Sequence, residues 1–226
     1  MNPIYRLGWI GFRLVYRFYF GWRVHNAERV PLTGPVILAS NHASFLDPPL
    51  VGAGIRRGIN YLARESLFRF PVLGWILHQW QVVPVDRDGG GAKGLKAILD
   101  RLLAGGAIIL FPEGTRSTDG KLQSARSGIG LTVIKSEAPV VPVRVFGTFE
   151  AYNRTMRFPL PFRKVVVKYG RPMLFEKLRA EARTCSKPRL KEIYQEVADE
   201  IMAEIGRLKP QDERTLHSTL AKGLKD

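Results

Sequence analysis

Two side chains with complementary chemistry stand close together early in the chain, His42 and Asp47. His42 directly follows residues 36–40, an apolar run typical of a buried strand. Asp47 precedes Pro48, and Asp before Pro is typical of a helix start, with Asp47 as the predicted N-cap. Ligands of α/β folds bind at the carboxyl ends of strands, so the pair suits a general base with its orienting carboxylate. A helix cap beside a loop histidine would give the same spacing.

A second polar group follows another predicted strand, residues 107–111, and reads Phe-Pro-Glu-Gly-Thr-Arg-Ser. Its candidate binding residues are Glu113, Gly114, Thr115 and Arg116. The glycine would allow close approach of the backbone to a ligand, and an arginine can bind a phosphate through two parallel hydrogen bonds. Because both polar groups follow strands, we expect them to face one cleft.

Two further arginines stand at strand ends and would add anion-binding groups to that cleft. Residues 58–64 predict a strand that ends in Arg64, and residues 81–85 predict another that is followed shortly by Arg87. The next stretch, residues 89–94, satisfies G-x-G-x-x-G. A dinucleotide site also needs a second strand ending in an acidic residue about 20 residues further on, which this chain lacks. A flexible loop leading into a helix is the favoured interpretation.

Strands and helices alternate along the chain, which predicts an α/β fold in a single domain. We expect a mixed, largely parallel sheet flanked by helices, with an N-terminal interfacial amphipathic helix. The predicted strands are residues 36–40, 58–64, 81–85, 107–111, 140–145 and 165–169, and the predicted helices are residues 4–22, 48–53, 92–104, 131–136 and 188–208. The expected organisation is a membrane-interface helix and lead-in in residues 1–30, a catalytic core in residues 31–170, and a C-terminal helical region with a tail in residues 171–226.

Residues 4–22 carry aromatic side chains at helical spacing. The stripe consists of Tyr5, Trp9, Phe12, Tyr16 and Tyr19. Arginines lie beside it, and rings flanked by guanidinium groups suit the headgroup level of a membrane. The alternative is a helix packed on the domain with its arginines solvated. Arg13 and Arg17 interrupt the apolar run, so the segment is a poor signal peptide.

The chain is strongly basic, with 35 Lys and Arg against 20 Asp and Glu in 226 residues and a net charge of +15. Such a charge attracts polyanions: nucleic acid, an anionic membrane or phosphorylated substrates. Nucleic-acid binding is disfavoured because the aromatic residues cluster in the N-terminal helix instead of alternating with basic residues on a strand face.

Metal sites and membrane spans are not expected. Cys185 is the single cysteine, which rules out an intrachain disulfide and a cysteine-based metal site. The other histidines have no recognisable ligand spacing with His42 and Asp47, which disfavours a metal hydrolase. No window of about 20 residues is apolar and free of charge, so no membrane span is predicted.

The two polar groups together resemble motifs of the glycerolipid acyltransferase family. The pattern N-H-x4-D occupies residues 41–47, and F-P-E-G-T-R-S occupies residues 111–117. Two lesser blocks, residues 61–74 and 138–143, support the resemblance, which covers residues 31–170. The family includes glycerol-3-phosphate and 1-acylglycerol-3-phosphate acyltransferases.

The resemblance implies direct transfer of an acyl group from acyl-CoA or an acyl carrier protein to a glycerol hydroxyl. His42 would be the general base, and Asp47 would fix its tautomer. Glu113, Gly114 and Thr115 would line the acceptor site, with Arg116 on the acceptor's phosphate. Arg64 stands where the family often has Lys, which keeps the charge but changes the binding geometry.

The expected reaction converts lysophosphatidic acid into phosphatidic acid without a cofactor. A lyso-ornithine lipid, another lysophospholipid or glycerol 3-phosphate stay open as acceptors, because the motifs report the chemistry and not the head group. The expected partners are the acyl donor, the lysophospholipid and an anionic membrane surface, with no nucleic acid. The protein is expected to be peripheral or monotopic on the cytoplasmic face of a membrane.

Overall fold

The computed structural model describes residues 1–85 and 92–211. Within them, seven strands form one sheet in the order β1-β7-β6-β2-β5-β3-β4. The strands are β1 (Arg23–His25), β2 (Val36–Ser40), β3 (Ile59–Arg64), β4 (Val82–Val85), β5 (Ala107–Leu110), β6 (Val140–Phe146) and β7 (Val166–Tyr169). Strands β2 to β6 run parallel to one another, whereas β7 pairs antiparallel with β6 and parallel with β1. The predicted mixed, largely parallel sheet in a single α/β domain is confirmed.

Helices cover both faces of this sheet. They are α1 (Pro3–Phe18), α2 (Asp47–Ala53), α3 (Pro71–Gln79), α4 (Ala92–Leu103), α5 (Gly128–Ser136), α6 (Thr148–Ala151), α7 (Glu176–Ala182) and α8 (Lys187–Arg207), with 3-10 turns at Ala27–Arg29 and Glu65–Arg69. Side chains of β2 alternate between two cores. Val36 and Leu38 pack with residues of α1 and α2, and Ile37 and Ala39 pack with residues of α4, α5 and α8.

Strand β2 lies inside the sheet, and all five of its residues are buried. An almost uninterrupted apolar run is what a parallel strand covered on both faces requires. The register pairs Ala39 with Leu110 of β5 and Ser40 with Val143 of β6. The chain therefore leaves β2 and β5 at the same edge of the sheet, and residues 41–47 and 111–117 emerge there side by side.

Four elements were not predicted from the sequence: β1, α3, α6 and α7. Strand β1 and helix α6 have only three and four residues, too few for a hydrophobic period to show. Helix α3 contains Gly74 and begins with Pro71, which is favourable at a first helical position although proline usually indicates a break. Of the glycine-rich stretch, residues 89–91 lie outside the described residues, and α4 begins at Ala92 as predicted.

The aromatic stripe faces the domain within α1, and the prediction that it faces a membrane is wrong there; only its last member, Tyr19, which follows α1, is exposed. Tyr5 and Tyr16 are buried, the Trp9 Nε1 donates to the Ile55 carbonyl at 2.9 Å, and the Tyr16 hydroxyl donates to the Leu46 carbonyl at 2.9 Å. The rings pack inward because their polar atoms find backbone acceptors there.

A different face of α1 is exposed and apolar. It presents Leu7, Ile10, Leu14 and Phe18. Arg13 also turns inward: its Nη1 donates to the Ala53 carbonyl at 2.7 Å. No helix among the described residues is long and apolar enough to cross a membrane.

Candidate active site

The loop that carries His42 is fixed at both of its flanks. Asn41 is buried, and its Oδ1 accepts from the Val145 amide at 2.8 Å while its Nδ2 donates to the Val145 carbonyl at 3.2 Å. On the other side, the Ser117 amide donates to the His42 carbonyl at 2.7 Å. The loop is thus held between β6 and residues 111–117, which keeps the two motifs together.

His42 and Asp47 meet as the sequence predicts, with Nδ1 of His42 2.8 Å from Oδ2 of Asp47. The same oxygen accepts from the Ala43 amide at 2.6 Å and from the Ser44 amide at 2.7 Å. Asp47 is fully buried, and its Oδ1 has no hydrogen-bond partner among the described residues. One carboxylate oxygen therefore orients both the imidazole and the loop that carries it.

Asp47 does not act as the N-cap of α2, contrary to the expectation from Asp before Pro. The helix begins at Asp47 itself, and Leu46 occupies the N-cap position without a side-chain cap bond. The carboxylate turns back to amides of the preceding loop, because Ala43 and Ser44 offer buried N–H groups that have to be paired. Its contribution to the fold is to close the histidine loop.

The hydrogen bonds assign the tautomer of His42. A carboxylate can only accept, so Nδ1 carries the proton in the neutral ring and Nε2 is the basic nitrogen. The ring stacks on Phe111, with centroids 3.9 Å apart and planes 18° from parallel. The hydrogen bond to Asp47 and the stacking on Phe111 together fix the orientation of the imidazole ring. In this orientation His42 lines a cavity.

Glu113 lies behind the His42 loop. Its side chain is 3% exposed, and Oε1 accepts from the His42 amide at 3.1 Å. Burial raises the pKa of Glu113 to about 7, although the backbone amides of His42 and Gln123 lower it; the Asp47 charge raises it further. Glu113 is not among the residues that line the cavity, so its direct role in this arrangement is to hold the histidine loop.

Gly114 occupies a left-handed backbone conformation with φ +70°. A Cβ there would stand 2.8 Å from Cδ of Arg126. The turn therefore favours glycine for two reasons, the backbone conformation and the lack of space for a side chain. The turn is closed by the Gly114 amide, which donates to the Phe111 carbonyl at 3.0 Å. Gly114 is exposed and also lies outside the cavity lining.

Thr115, Arg116 and Arg64 share the cavity of about 750 Å³ with His42. Cζ of Arg116 lies 3.5 Å from the ring centroid of Phe45, a cation–π contact that holds the guanidinium at the cavity. Three of the predicted binding residues thus join the histidine. Arg87 lies outside the described residues.

The far part of the cavity is apolar, and the sequence did not predict this. Tyr5, Trp9 and Phe12 of α1 line it together with Leu77 and Trp80. This part lies towards the amino ends of β3 and β4, since the Tyr5 hydroxyl accepts from the Ile59 amide and Trp80 lies two residues before β4. The cavity therefore has Nε2 of His42 and the guanidinium groups of Arg64 and Arg116 at one end and an apolar wall at the other. The sequence signal for this apolar lining is the aromatic stripe of α1, whose helical period does not distinguish an inward face from a membrane face.

Phe45, Phe111 and Asn41 are further residues whose roles the sequence did not predict. All three stand inside the quoted motifs, but motif spacing says nothing about which neighbour a side chain stacks on or bonds. In residues 1–85 and 92–211, no three His, Cys, Asp or Glu side chains come together as a metal site would require. The site as described can accept a proton at Nε2 of His42 and bind an anion beside it.

Three comparisons with known proteins bear on this geometry. The chain is 33% identical over 138 residues to "1-acyl-sn-glycerol-3-phosphate acyltransferase LPAT1, chloroplastic" of Arabidopsis thaliana, covering 59% of this chain and 38% of that protein. It is 29% identical over 128 residues to the 1-acyl-sn-glycerol-3-phosphate acyltransferase of Bacillus subtilis, covering 56% of this chain and 63% of that protein. The chain thus spans less than two thirds of the length of either relative.

The fold is also similar to a solved structure, that of PlsC from Thermotoga maritima, a 1-acyl-sn-glycerophosphate acyltransferase. The TM-score is 0.67 at 25% identity, over 92% of this chain and 80% of that chain. The family model named Acyltransferase matches residues 21–146, more than half of the chain, and both motifs lie inside the match. The resemblance seen in the sequence is confirmed, and the chain belongs to the acyltransferase family.

Proposed function

We propose that the protein transfers a fatty acyl group from an acyl thioester to the free glycerol hydroxyl of lysophosphatidic acid, giving phosphatidic acid. The observation that carries the proposal is the His42–Asp47 pair at 2.8 Å, which faces a cavity with guanidinium groups near the base and an apolar far end. The relatives named above carry this activity in their names.

In the proposed reaction, Nε2 of His42 accepts the proton of the acceptor hydroxyl while the hydroxyl oxygen attacks the thioester carbonyl. The C–S bond then breaks, and the departing thiolate takes the proton back from the imidazolium. Asp47 stabilises that imidazolium and keeps Nδ1 protonated throughout. Direct attack needs no covalent intermediate on the protein and no cofactor.

The two ends of the cavity suit the two parts of the substrates. We assign the phosphate of the acceptor to Arg116, whose guanidinium lies against Phe45, and to Arg64, because both line the cavity with His42. Thr115 contributes a hydroxyl at the same end. The apolar wall formed by α1, Leu77 and Trp80 suits an acyl chain. The volume of the whole cavity, about 750 Å³, lies in the usual range for ligand pockets. Acyl-CoA and an acyl carrier protein both remain possible donors.

The protein is proposed to act as a peripheral enzyme on an anionic membrane surface, on its cytoplasmic face. Its acceptor resides in a bilayer, and α1 presents the exposed apolar residues Leu7, Ile10, Leu14 and Phe18. The net charge of +15 adds attraction to anionic lipid. Exposed Phe70, Val72 and Trp75 at the start of α3 supply a second apolar surface.

The test is transfer by the purified protein from acyl-CoA and from acyl carrier protein to a panel of acceptors. Lysophosphatidic acid, a lyso-ornithine lipid, another lysophospholipid and glycerol 3-phosphate are compared at equal concentration, with and without a chelator. We expect lysophosphatidic acid to have the highest kcat/KM and the chelator to leave the rate unchanged. A higher kcat/KM with another acceptor would contradict the assignment of lysophosphatidic acid as the substrate. Loss of activity in chelator would contradict the metal-free mechanism.

A further inference from the structure

Residues 154–164, between α6 and β7, form an exposed segment that the motifs and the family match do not cover. The segment reads Arg-Thr-Met-Arg-Phe-Pro-Leu-Pro-Phe-Arg-Lys and contains four basic residues and no acidic one. Three of its large apolar side chains face solvent: Phe158 is 68% exposed, Leu160 39% and Phe162 81%. A group of exposed apolar side chains this close together indicates a surface that contacts a membrane or another molecule.

The backbone of the segment is well held, so the exposure does not come from a loose loop. The Leu160 amide donates to the Ala151 carbonyl at 2.8 Å, and the Phe162 amide donates to the Tyr19 carbonyl at 2.7 Å. The Tyr19 hydroxyl donates to the Pro159 carbonyl at 2.9 Å. Two prolines further restrict the chain, so the three apolar side chains are presented outward from a fixed backbone.

Phe162 adds a conformational argument. Its φ of +58° lies in the left-handed region, which Gly or Asn adopts more readily than a bulky side chain. The side chain is also the most exposed of the three. An aromatic ring this exposed, on a backbone in the left-handed region, adds little packing to the fold, which fits a contact outside the chain.

The segment lies at the edge of the sheet where the candidate site opens. Strand β6 ends at Phe146 on that edge, and β7 returns antiparallel from it, so the connection between them stays there. Ser44 of the histidine loop donates through its hydroxyl to the Tyr152 carbonyl, and the rings of Phe45 and Tyr152 are 5.8 Å apart. The segment thus begins two residues after Tyr152, which contacts the histidine loop, and Phe45 of that loop lines the cavity.

The segment is also continuous with the exposed apolar face of α1. That face ends at Phe18, one residue before Tyr19, which the segment bonds twice. The Gly21 amide donates to the Arg163 carbonyl at 3.1 Å and extends the junction. Exposed basic residues lie near the apolar side chains in both elements: Arg17 in α1, and Arg157 and Arg163 in the segment.

We propose that residues 154–164 insert into an anionic lipid bilayer as a further membrane contact, next to the exposed face of α1. Phe158, Leu160 and Phe162 would enter the level of the headgroups and upper acyl chains, and the arginines would bind lipid phosphates. Apolar side chains flanked by basic ones, on a basic protein, fit an anionic bilayer better than a protein surface. Placement of the segment near Tyr152 and the histidine loop brings the site to the layer in which an amphiphilic acceptor resides. The inference rests on the membrane part of the proposed function and not on the acyl transfer itself.

Insertion is measured directly with a fluorescent label. Phe158→Cys in a Cys185→Ser background is labelled with an environment-sensitive fluorophore, and the matched control is Leu103→Cys, an exposed position at the end of α4 on the opposite edge of the sheet. With vesicles of equal parts phosphatidylcholine and phosphatidylglycerol, we expect a blue shift for the label at residue 158 and none at residue 103. A label that stays in water while the protein sediments with the vesicles would overturn the proposal, as would a protein that does not bind the vesicles.

Two substitution pairs separate the apolar and the basic contributions. Phe158→Ser with Leu160→Ser should lower vesicle affinity about tenfold or more, whereas Leu103→Ser with Leu174→Ser should leave it unchanged. Arg157→Gln with Arg163→Gln should lower affinity for the anionic vesicles about thirtyfold and leave that for pure phosphatidylcholine vesicles unchanged. Equal losses in both pairs of the apolar comparison would contradict a specific role of the segment.

The remaining outcomes are distinguishable. A spectral change that follows protein concentration without vesicles would mean that the segment binds a second copy of the chain, which overturns the bilayer assignment. Acyl transfer with a label that stays in water would refute the inference and leave the proposed function standing. Insertion of the label without acyl transfer to any acceptor would support the inference and refute the proposed function.

Discussion

At the scale of single residues, the site depends on how Asp47 is used. Its Oδ2 joins Nδ1 of His42 and the amides of Ala43 and Ser44, so a single buried atom sets both the tautomer of the base and the path of its loop. Glu113 then holds the same loop from the other side through the His42 amide. Two buried carboxyl groups therefore support one partly exposed histidine.

Asp47→Asn is expected to lower kcat roughly 10²–10⁴-fold, and to lower the free energy of unfolding by about 1–3 kcal/mol because the new amide N–H group has no buried partner. An amide oxygen still accepts from the two loop amides, but an uncharged group no longer stabilises the imidazolium. The measurement is kcat at saturating donor and acceptor, with urea unfolding of both proteins as the control. A folded variant whose kcat stays within about twofold of the wild type would show that Asp47 is structural.

The buried Glu113 should make stability depend on pH. The pKa of Glu113 is about 7 in the folded protein and near 4.5 when unfolded, so the folded state holds the proton more tightly. Its contribution is fully present below about pH 4.5 and is lost as the pH rises through about 7. At about 1.4 kcal/mol per pKa unit, the free energy of unfolding should fall by on the order of 2–3 kcal/mol between pH 5 and pH 8 relative to Glu113→Gln.

Gln keeps an acceptor for the His42 amide and cannot ionise, which makes Glu113→Gln the matched reference. Urea unfolding of both proteins at pH 5 and pH 8 gives the required difference, and the contributions of all other carboxyl groups cancel in it. A difference that is the same at both pH values would contradict the raised pKa.

The motif residues could be predicted to converge because each motif follows a strand of one parallel sheet. What the sequence did not contain was the partner of each side chain. Asp47 before a proline suggested a helix cap, whereas buried loop amides compete for the same carboxylate. Phe45 became a support for Arg116 only through the three-dimensional path of the loop.

At the scale of elements, long periodic segments were predicted well and short ones were not. Strand β2 and helix α8 stood out because five consecutive buried positions and a long amphipathic period leave few alternatives. For α1 the period was found but its inward face was assigned wrongly. A helix with apolar residues on two faces has two candidate contacts, and periodicity alone does not tell the core from a membrane.

Helices α5 and α8 are in close contact at a glycine, which gives a prediction about packing. A Cβ on Gly130 would stand 1.9 Å from the Tyr194 carbonyl oxygen of α8, whereas a Cβ on Gly128 meets nothing within 4 Å. Gly130→Ala should therefore lower the free energy of unfolding by about 2 kcal/mol or more, because backbone has to move. Gly128→Ala, in the same helix, should be neutral or stabilising by up to about 1 kcal/mol.

The comparison is made by urea unfolding of the two variants and the wild type. Equal stability of the two variants would mean that α5 and α8 are less closely packed than described. Helix α5 directly follows the loop of residues 111–127, so its seating on α8 also supports the second motif.

At the scale of the whole molecule, charge and exposed apolar surface act together. The net charge of +15 attracts the protein to anionic lipid, and the exposed side of α1 offers residues to bury there. Deleting residues 1–22 would be a poor test of that role, because Tyr16 and Phe20 belong to the core. Substitutions on the exposed face alone leave the core intact.

Leu7→Ser with Leu14→Ser should lower binding to anionic vesicles about tenfold, since both side chains are exposed and apolar. The measurement is co-sedimentation with vesicles at low and high salt, and binding should weaken in high salt because the charged surface is screened. Leu32→Ser, a change at an exposed leucine outside α1, is the control. Unchanged binding of the α1 variant would count against that helix as a membrane contact.

The most direct test of the account concerns His42 as the general base. Acyl transfer to lysophosphatidic acid is measured for the wild type, His42→Ala and the bulkier His42→Gln, with unfolding curves to establish that the variants are folded. We expect both variants to lose activity about 10²–10⁴-fold, because the hydroxyl proton then has no acceptor beside Asp47. A folded variant that transfers acyl groups at the wild-type rate would contradict it.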